Sequence, residues 1–350
     1  MKRILPALAA GLVLAAVAVP AHADVKGNHM QSANIQAMPG QQLDSASVKA
    51  VYCDLKTTGL NHVTLNPVLI QDTPTSRVIT KRKAKKNVEP TATDVQFRQA
   101  IRNARACGLG VVIAPHLELV DHSWRAKIPG SDVEFREWTK WLLKYQGIGL
   151  DEGADTLIIG IEQKGMTAKG NTARWLKTIA ALRAADPGRR MKLTYAAHTG
   201  DELLLLDPKW VKKLDYISAT WYPRVPKEGA TYGDLKRKLA QDHGEFKSAK
   251  KRYGKRIVLA ETGLRSIAWD DRFAKTPAEV AAAKVDLKVQ ERWFHALLHT
   301  VEGWSEVDGV MLYRTMNATT DGGAADTSFS WQGKPAEKTI AGYFGGKVPR

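Results

Sequence analysis

Two carboxylates stand out by what precedes them. Glu162 closes the run Leu157-Ile158-Ile159-Gly160-Ile161, and Glu261 closes Ile257-Val258-Leu259-Ala260. A glutamate abutting a buried apolar strand is costly unless it is paired, neutral or at the mouth of a site. Two such groups in different surroundings can divide acid–base labour, one held protonated as a general acid and the other ionised as nucleophile or base. Hydrolysis of a glycosidic bond needs that division. The competing account is a structural ion pair at a strand rim.

Other polar and aromatic residues follow apolar runs in the same way. Asn66-Pro67 ends one run, and His116, Glu118 and Trp124 follow another. His198, the triplet Trp221-Tyr222-Pro223 and the pair Tyr313-Arg314 follow three more. Asn66, His116, His198, Tyr222 and Tyr313 are expected to line the site that such strand ends would form. Trp124 and Trp221 are expected to offer flat faces to sugar rings, with Trp269 and Trp331 as further mouth-loop platforms. The remaining tryptophans (138, 141, 175, 210, 293 and 304) fall on helical segments as core. Glu118 and Asp121 read as binding groups rather than as the acid, and Arg265 and Arg314 as solvated surface arginines. His116, Asp121 and His122 have no spacing that would fix a metal, so no metal or cofactor is expected. A Gly-x-Ser-x-Gly elbow is missing from the sequence, which argues against serine-nucleophile chemistry.

These residues need a frame that gathers strand ends. Apolar runs of strand length recur at 28–33, 62–66, 110–115, 156–161, 192–196, 216–220, 257–260 and 309–313. Helical stripes separate them. Trp138, Trp141, Leu142 and Tyr145 follow i, i+3, i+4, i+7 spacing, and Trp175, Ile179 and Leu182 form a second stripe. Phe97, Ile101 and Ala104 form a third, ended by Gly108. Thr276-Pro277-Ala278-Glu279 reads as a capping box opening a helix that carries Leu287, Phe294, Leu297 and Val301. Parallel strands need a crossover to return the chain, so eight β units alternating with helices imply a single (β/α)8 TIM barrel of the α/β class. Its active site gathers at the carboxyl ends of the strands. A doubly wound open sheet is the alternative, but no glycine-rich phosphate loop follows the first strand. Residues 73–90, rich in Lys and Arg, read as a long mobile loop.

The 350 residues carry 52 Lys and Arg against 36 Asp and Glu, a formal charge of +16. Lys2 and Arg3 precede an apolar run, and Pro20-Ala21-His22-Ala23 follows it. That pattern is a secretory signal cut after Ala23, which makes the mature protein periplasmic or secreted. Removing the segment takes away two cations and leaves +14. Solvation of outer helices such as residues 236–256 accounts for the charge, and an acidic polymer or envelope surface is the second account. Export and the lack of a nucleic-acid module argue against nucleic acid. No later stretch is long and apolar enough to span a bilayer. Cys53 and Cys107 are expected on neighbouring helices as two buried thiols, with a disulfide as the alternative.

Taken together, "VVIAPHLELVDHSW", "LIIGIEQKG" followed by "ARWLKTIAALR", "DYISATWYP", "RIVLAETGLRS" and "WQGKPAEKTIAGYF" resemble clan A glycoside hydrolases, above all the family 113 β-mannanases. The resemblance spans about residues 50 to 345. It implies Glu162 as acid/base and Glu261 as nucleophile of a retaining hydrolase on β-mannan or glucomannan, with Tyr222 beside Glu261 and with His116 and Asn66 touching the sugar or the carboxylates. A monomer is expected. Ile161 stands where many clan members have Asn, and Tyr313 where many have Trp. Lys164 beside the acid would oppose its protonation. A barrel that only binds carbohydrate, and an envelope exopolysaccharide hydrolase of other specificity, are the alternatives.

Overall fold

In the computed structural model, which describes residues 30–86, 88–271, 275–319 and 322–349, the apolar runs form β1 (Met30–Ile35), β2 (His62–Leu65), β3 (Gly110–Ile113), β4 (Thr156–Ile161), β5 (Lys192–His198), β6 (Ile217–Thr220), β7 (Ile257–Thr262) and β8 (Val307–Leu312). They lie side by side in chain order, every neighbouring pair parallel. The ring closes where β1 pairs with β8 at Met30↔Gly309. That pairing rules out the open sheet, and the fold is a (β/α)8 barrel. The proposed signal, and Asn28 and His29 of the first run, lie outside the described residues.

Side-chain alternation along the strands divides the core. Val112, Ile158, Ile161, Ala196, Val258 and Met311 fill the barrel, while Leu157, Ile159, Leu193 and Leu259 pack outward under the helices. The helices start where their caps predict. Ser131 and Glu134 form a reciprocal capping box that opens Asp132–Glu152. That helix buries Trp138, Leu142 and Tyr145, and the Trp138 indole bonds to the Ile159 carbonyl at 2.8 Å. Gly108, just past the helix Asp94–Ala106, takes φ 78°, which a side chain would strain.

Four local expectations need correction. The capping box at Thr276 opens only Pro277–Ala282; a bridge between Ile267 and Val285 interrupts the chain, and Asp286 caps a new helix, Leu287–Glu302. Residues 73–90 are not all loop, because Thr80–Lys81 pairs with Val68–Gln71 and Lys81 bonds to Asp94 at 2.8 Å. Trp331 is fully buried, so it is core and not a sugar platform. Finally, Cys53 and Cys107 are joined in a disulfide, and Cys53 is exposed rather than buried. The bond ties the helix Ala46–Thr57 to the end of the next one. Closing a 54-residue loop this way contributes about 4 kcal/mol by restricting the unfolded chain.

Candidate active site

β2 and β3 each run into a proline, at Pro67 and Pro115, which lacks the N–H a ladder needs. Past those breaks the chain resumes as Val68–Gln71 and His116–Leu119, paired in parallel above the barrel mouth. The Val68↔His116 pairing sets His116 over the strand ends. The two glutamates are aimed by a different device. β4 shifts register against β5 between Ile158 and Ile161, just before Glu162. β7 shifts against both neighbours beyond Leu259, just before Glu261. Such irregularities re-aim side chains and recur beside active sites.

Both carboxylates line one cleft of about 760 Å³, together with His116, Glu118, Trp124, Arg125, His198, Tyr222, Arg224 and Tyr313. Glu162 is half-buried, and its backbone sits at φ 52°. That left-handed conformation costs a non-glycine residue about 1–3 kcal/mol. Thr220, at the end of β6, donates to its Oε1 at 2.7 Å, and the Trp124 indole donates to its Oε2 at 3.2 Å. Trp124 is 43% exposed, so part of its ring stays open where it lines the cleft.

Glu261 is buried. Tyr222 donates to its Oε2 at 2.9 Å, and the His116 Nε2 lies 3.3 Å from its Oε1. Burial alone would raise this carboxyl; His116, Arg125 and Tyr222 outweigh it and hold the group below the ordinary glutamate range. The same pairing acts on His116. Burial disfavours its cation, but Glu118 and Glu261 face the two ring nitrogens and raise its pKa. Asn66, buried, places its amide 3.0 Å from His116 Nε2 and reaches the Asn34 side chain at 3.4 Å. Asn34 in turn bonds to the carbonyl of Ala260 at 2.9 Å, one residue before Glu261.

Tyr222, Tyr313 and Phe329 form an edge-to-face aromatic cluster on the Glu261 side. His198 is held by Asp201 at 2.9 Å and packs edge-on against Trp124, with centroids 5.5 Å apart. Trp221 does not serve as expected. It is 2% exposed, its ring meets Phe246 and Trp304, and its indole bonds to Asp242 at 2.9 Å. It supports the cleft wall instead of offering a face. Arg265 is likewise no surface group; it is buried, paired with Asp270 at 2.9 Å and set over Phe329. Lys164 turns to Asp201 at 2.9 Å, giving its charge a carboxylate partner.

Sequence reasoning missed Arg125 and Thr220. Arg125 bonds to Glu118 at the cleft. Burial works against its charge, but Glu118, Glu162 and Glu261 raise its pKa, so it stays cationic beside both glutamates. Its place directly after Trp124 was the available signal. Thr220 carried none, since a threonine ending a strand is ordinary.

This network predicts a pH effect. With Glu261 in the ionised role expected of it, the acidic limb of kcat/KM is predicted to lie below the ordinary glutamate range in the wild type. In His116→Ala the burial remains and the opposing charge is gone. The acidic limb is then expected to move to higher pH, with Tyr222→Phe moving it less. An unmoved limb in His116→Ala would show that this histidine does not tune Glu261.

Among known proteins, the model of Glycoside Hydrolase Family 113 matches residues 37–334. No curated protein sequence matches the chain. Among solved structures, a complex of a GH113 β-1,4-mannanase superposes with a TM-score of 0.74 at 18% identity, covering 92% of this chain and 100% of that one. The GH113 β-mannanase AaManA from Alicyclobacillus acidocaldarius, in complex with ManMIm, gives 0.73 at 20% identity, covering 92% and 98%. A fungal β-1,4-galactanase gives 0.53 at 17% identity, covering 84% and 90%. At these identities the likenesses speak to the fold.

Proposed function

The chain belongs to glycoside hydrolase family 113, and from that premise we propose that it is an exported, retaining β-glycanase acting on β-1,4-linked mannan or glucomannan. The observation that carries the mechanism is the unequal setting of the two glutamates in one cleft. Thr220 and Tyr222, two residues apart at the end of β6, hold Glu162 and Glu261 respectively. This brings the two carboxyls to one stretch of backbone, and retention needs them about 5–5.5 Å apart.

In the first step the Glu261 carboxylate attacks the anomeric carbon. Glu162 gives its proton to the departing glycosidic oxygen, and a covalent glycosyl ester forms on Glu261. In the second step Glu162 takes a proton from water as that water attacks the same carbon. The ester breaks, and the sugar leaves with its original anomeric configuration. Trp124, partly exposed at the cleft and bonded to Glu162, suits stacking on a pyranose ring.

The mannan preference rests on the β-1,4-mannanases named among the structural neighbours. Export is supported by the signal-like first 23 residues and by the Cys53–Cys107 disulfide, which belongs to an oxidising compartment. The deciding experiment is digestion of a panel of β-glycans followed by NMR of the nascent reducing ends. β-Anomers released from mannan or glucomannan are the expected result. Initial α-anomers would overturn retention, cleavage of another glycan alone would overturn the sugar assignment, and binding without cleavage would make this a carbohydrate-binding barrel.

A further inference from the structure

A buried carboxyl lies behind Glu162 that the mechanism above does not use. Glu202 is 1% exposed, and among the described residues its hydrogen-bond donors are all neutral. Tyr195 and Thr167 donate to its Oε1 at 2.7 and 3.0 Å, and the backbone N–H of His198 donates to its Oε2 at 2.9 Å. Burial pushes its pKa up to about 7 against those three donors, with Glu162 adding to the rise. A packed apolar residue would avoid that cost, so the position calls for a reason.

The connections of Glu202 supply one. Tyr195 Oη accepts the backbone N–H of Gln163 at 2.8 Å, the residue directly after Glu162. The strained left-handed turn at Glu162 is therefore pinned from its far side. Tyr195 has little room to move: Trp175 and Trp210 pack edge-to-face against it, and a Cβ on Gly160 would lie 2.6 Å from its ring. On its other oxygen Glu202 fixes His198, whose ring packs against Trp124, and Trp124 donates to the Glu162 carboxylate. The contacts form a closed circuit from the backbone of Glu162 to its side chain, and Glu202 is the junction.

We propose that Glu202 is a positioning residue for the acid/base Glu162, holding its backbone turn through Tyr195 and its carboxyl through His198 and Trp124. This rests on the acid/base assignment of Glu162 made above. Aiming of a proton donor matters only when the leaving group needs the proton. Misplacement by about 1 Å can cost on the order of 10²-fold.

The test compares 2,4-dinitrophenyl and phenyl β-mannobiosides in wild type, Glu202→Gln, Tyr195→Phe and Glu162→Gln. In Glu202→Gln, kcat/KM on the phenyl substrate is expected to fall roughly 10- to 100-fold, while the dinitrophenyl substrate, which leaves unaided, stays within about threefold. Tyr195→Phe, which keeps Glu202 and cuts the link to Gln163, is expected to show the same split, and it carries the test if Glu202→Gln does not fold. Equal losses on both substrates, or no loss on either, in a folded variant would overturn the positioning role while leaving Glu162 its assignment if Glu162→Gln shows the split. No split in Glu162→Gln would overturn the acid/base assignment and this inference with it.

Discussion

Glu261→Gln is expected to lower kcat by roughly 10⁴- to 10⁶-fold, the scale seen when an enzyme loses its nucleophile. The amide has almost the shape of the carboxylate and can still accept the Tyr222 hydroxyl, which now bonds to Oε2 at 2.9 Å. It cannot form the glycosyl ester, because its oxygen is a far poorer nucleophile. It also leaves His116 and Arg125 facing a neutral group, so some stability is lost along with activity. Thermal unfolding separates the two effects, since a folded variant without turnover isolates the chemistry. Residual activity within about tenfold of wild type would sink the nucleophile assignment, whichever glycan is used. The fast-leaving dinitrophenyl substrate should not rescue this variant, because both leaving groups need the same attack.

Glu162→Ala is expected to behave differently, and the contrast identifies the two roles. Loss of a general acid costs typically 10²–10⁴-fold, so hydrolysis of an unactivated β-glycan should fall by about that factor. A dinitrophenyl glycoside should still form the glycosyl ester, whose hydrolysis then stalls for want of a base. Azide, which needs no base, is expected to enter the space left by the side chain and restore turnover, giving a β-glycosyl azide. An α-azide would mean inversion, and no effect of azide at all would mean that the carboxylate beside Thr220 and Trp124 is not the acid/base. Alanine also removes the bonds from Thr220 and Trp124, so Glu162→Gln in parallel controls for their loss.

The parts of the site that were legible in the sequence are those set by strand ends. Glu162, Glu261, His116, His198, Tyr222 and Tyr313 each follow an apolar run, and in a parallel barrel all such positions come to one face. They do line one cleft. Asn66 was legible for the same reason, although it is buried against His116. Trp221 was misjudged because position along a strand does not say which side of the wall a large ring occupies; its faces are taken by Phe246 and Trp304. Arg265 and Trp331 were misjudged in the same way, since burial of a loop residue depends on what packs over it from elsewhere in the chain.

What the sequence determined by itself was the architecture and the placing of two glutamates at strand ends that meet in one cleft. Periodicity of two and of 3.6 is local, and eight alternating units leave few ways to return the chain. Only the tertiary structure decided how those glutamates are held. The register shifts before Glu162 and Glu261 depend on neighbouring strands. Arg125 reaches the site through a loop, and Glu202 is linked to Glu162 through Tyr195, His198 and Trp124. The Cys53–Cys107 bond likewise needed two helix ends brought to a Cα separation of 4.9 Å. Contacts between residues far apart in sequence exist only once the barrel has closed, so no local pattern records them.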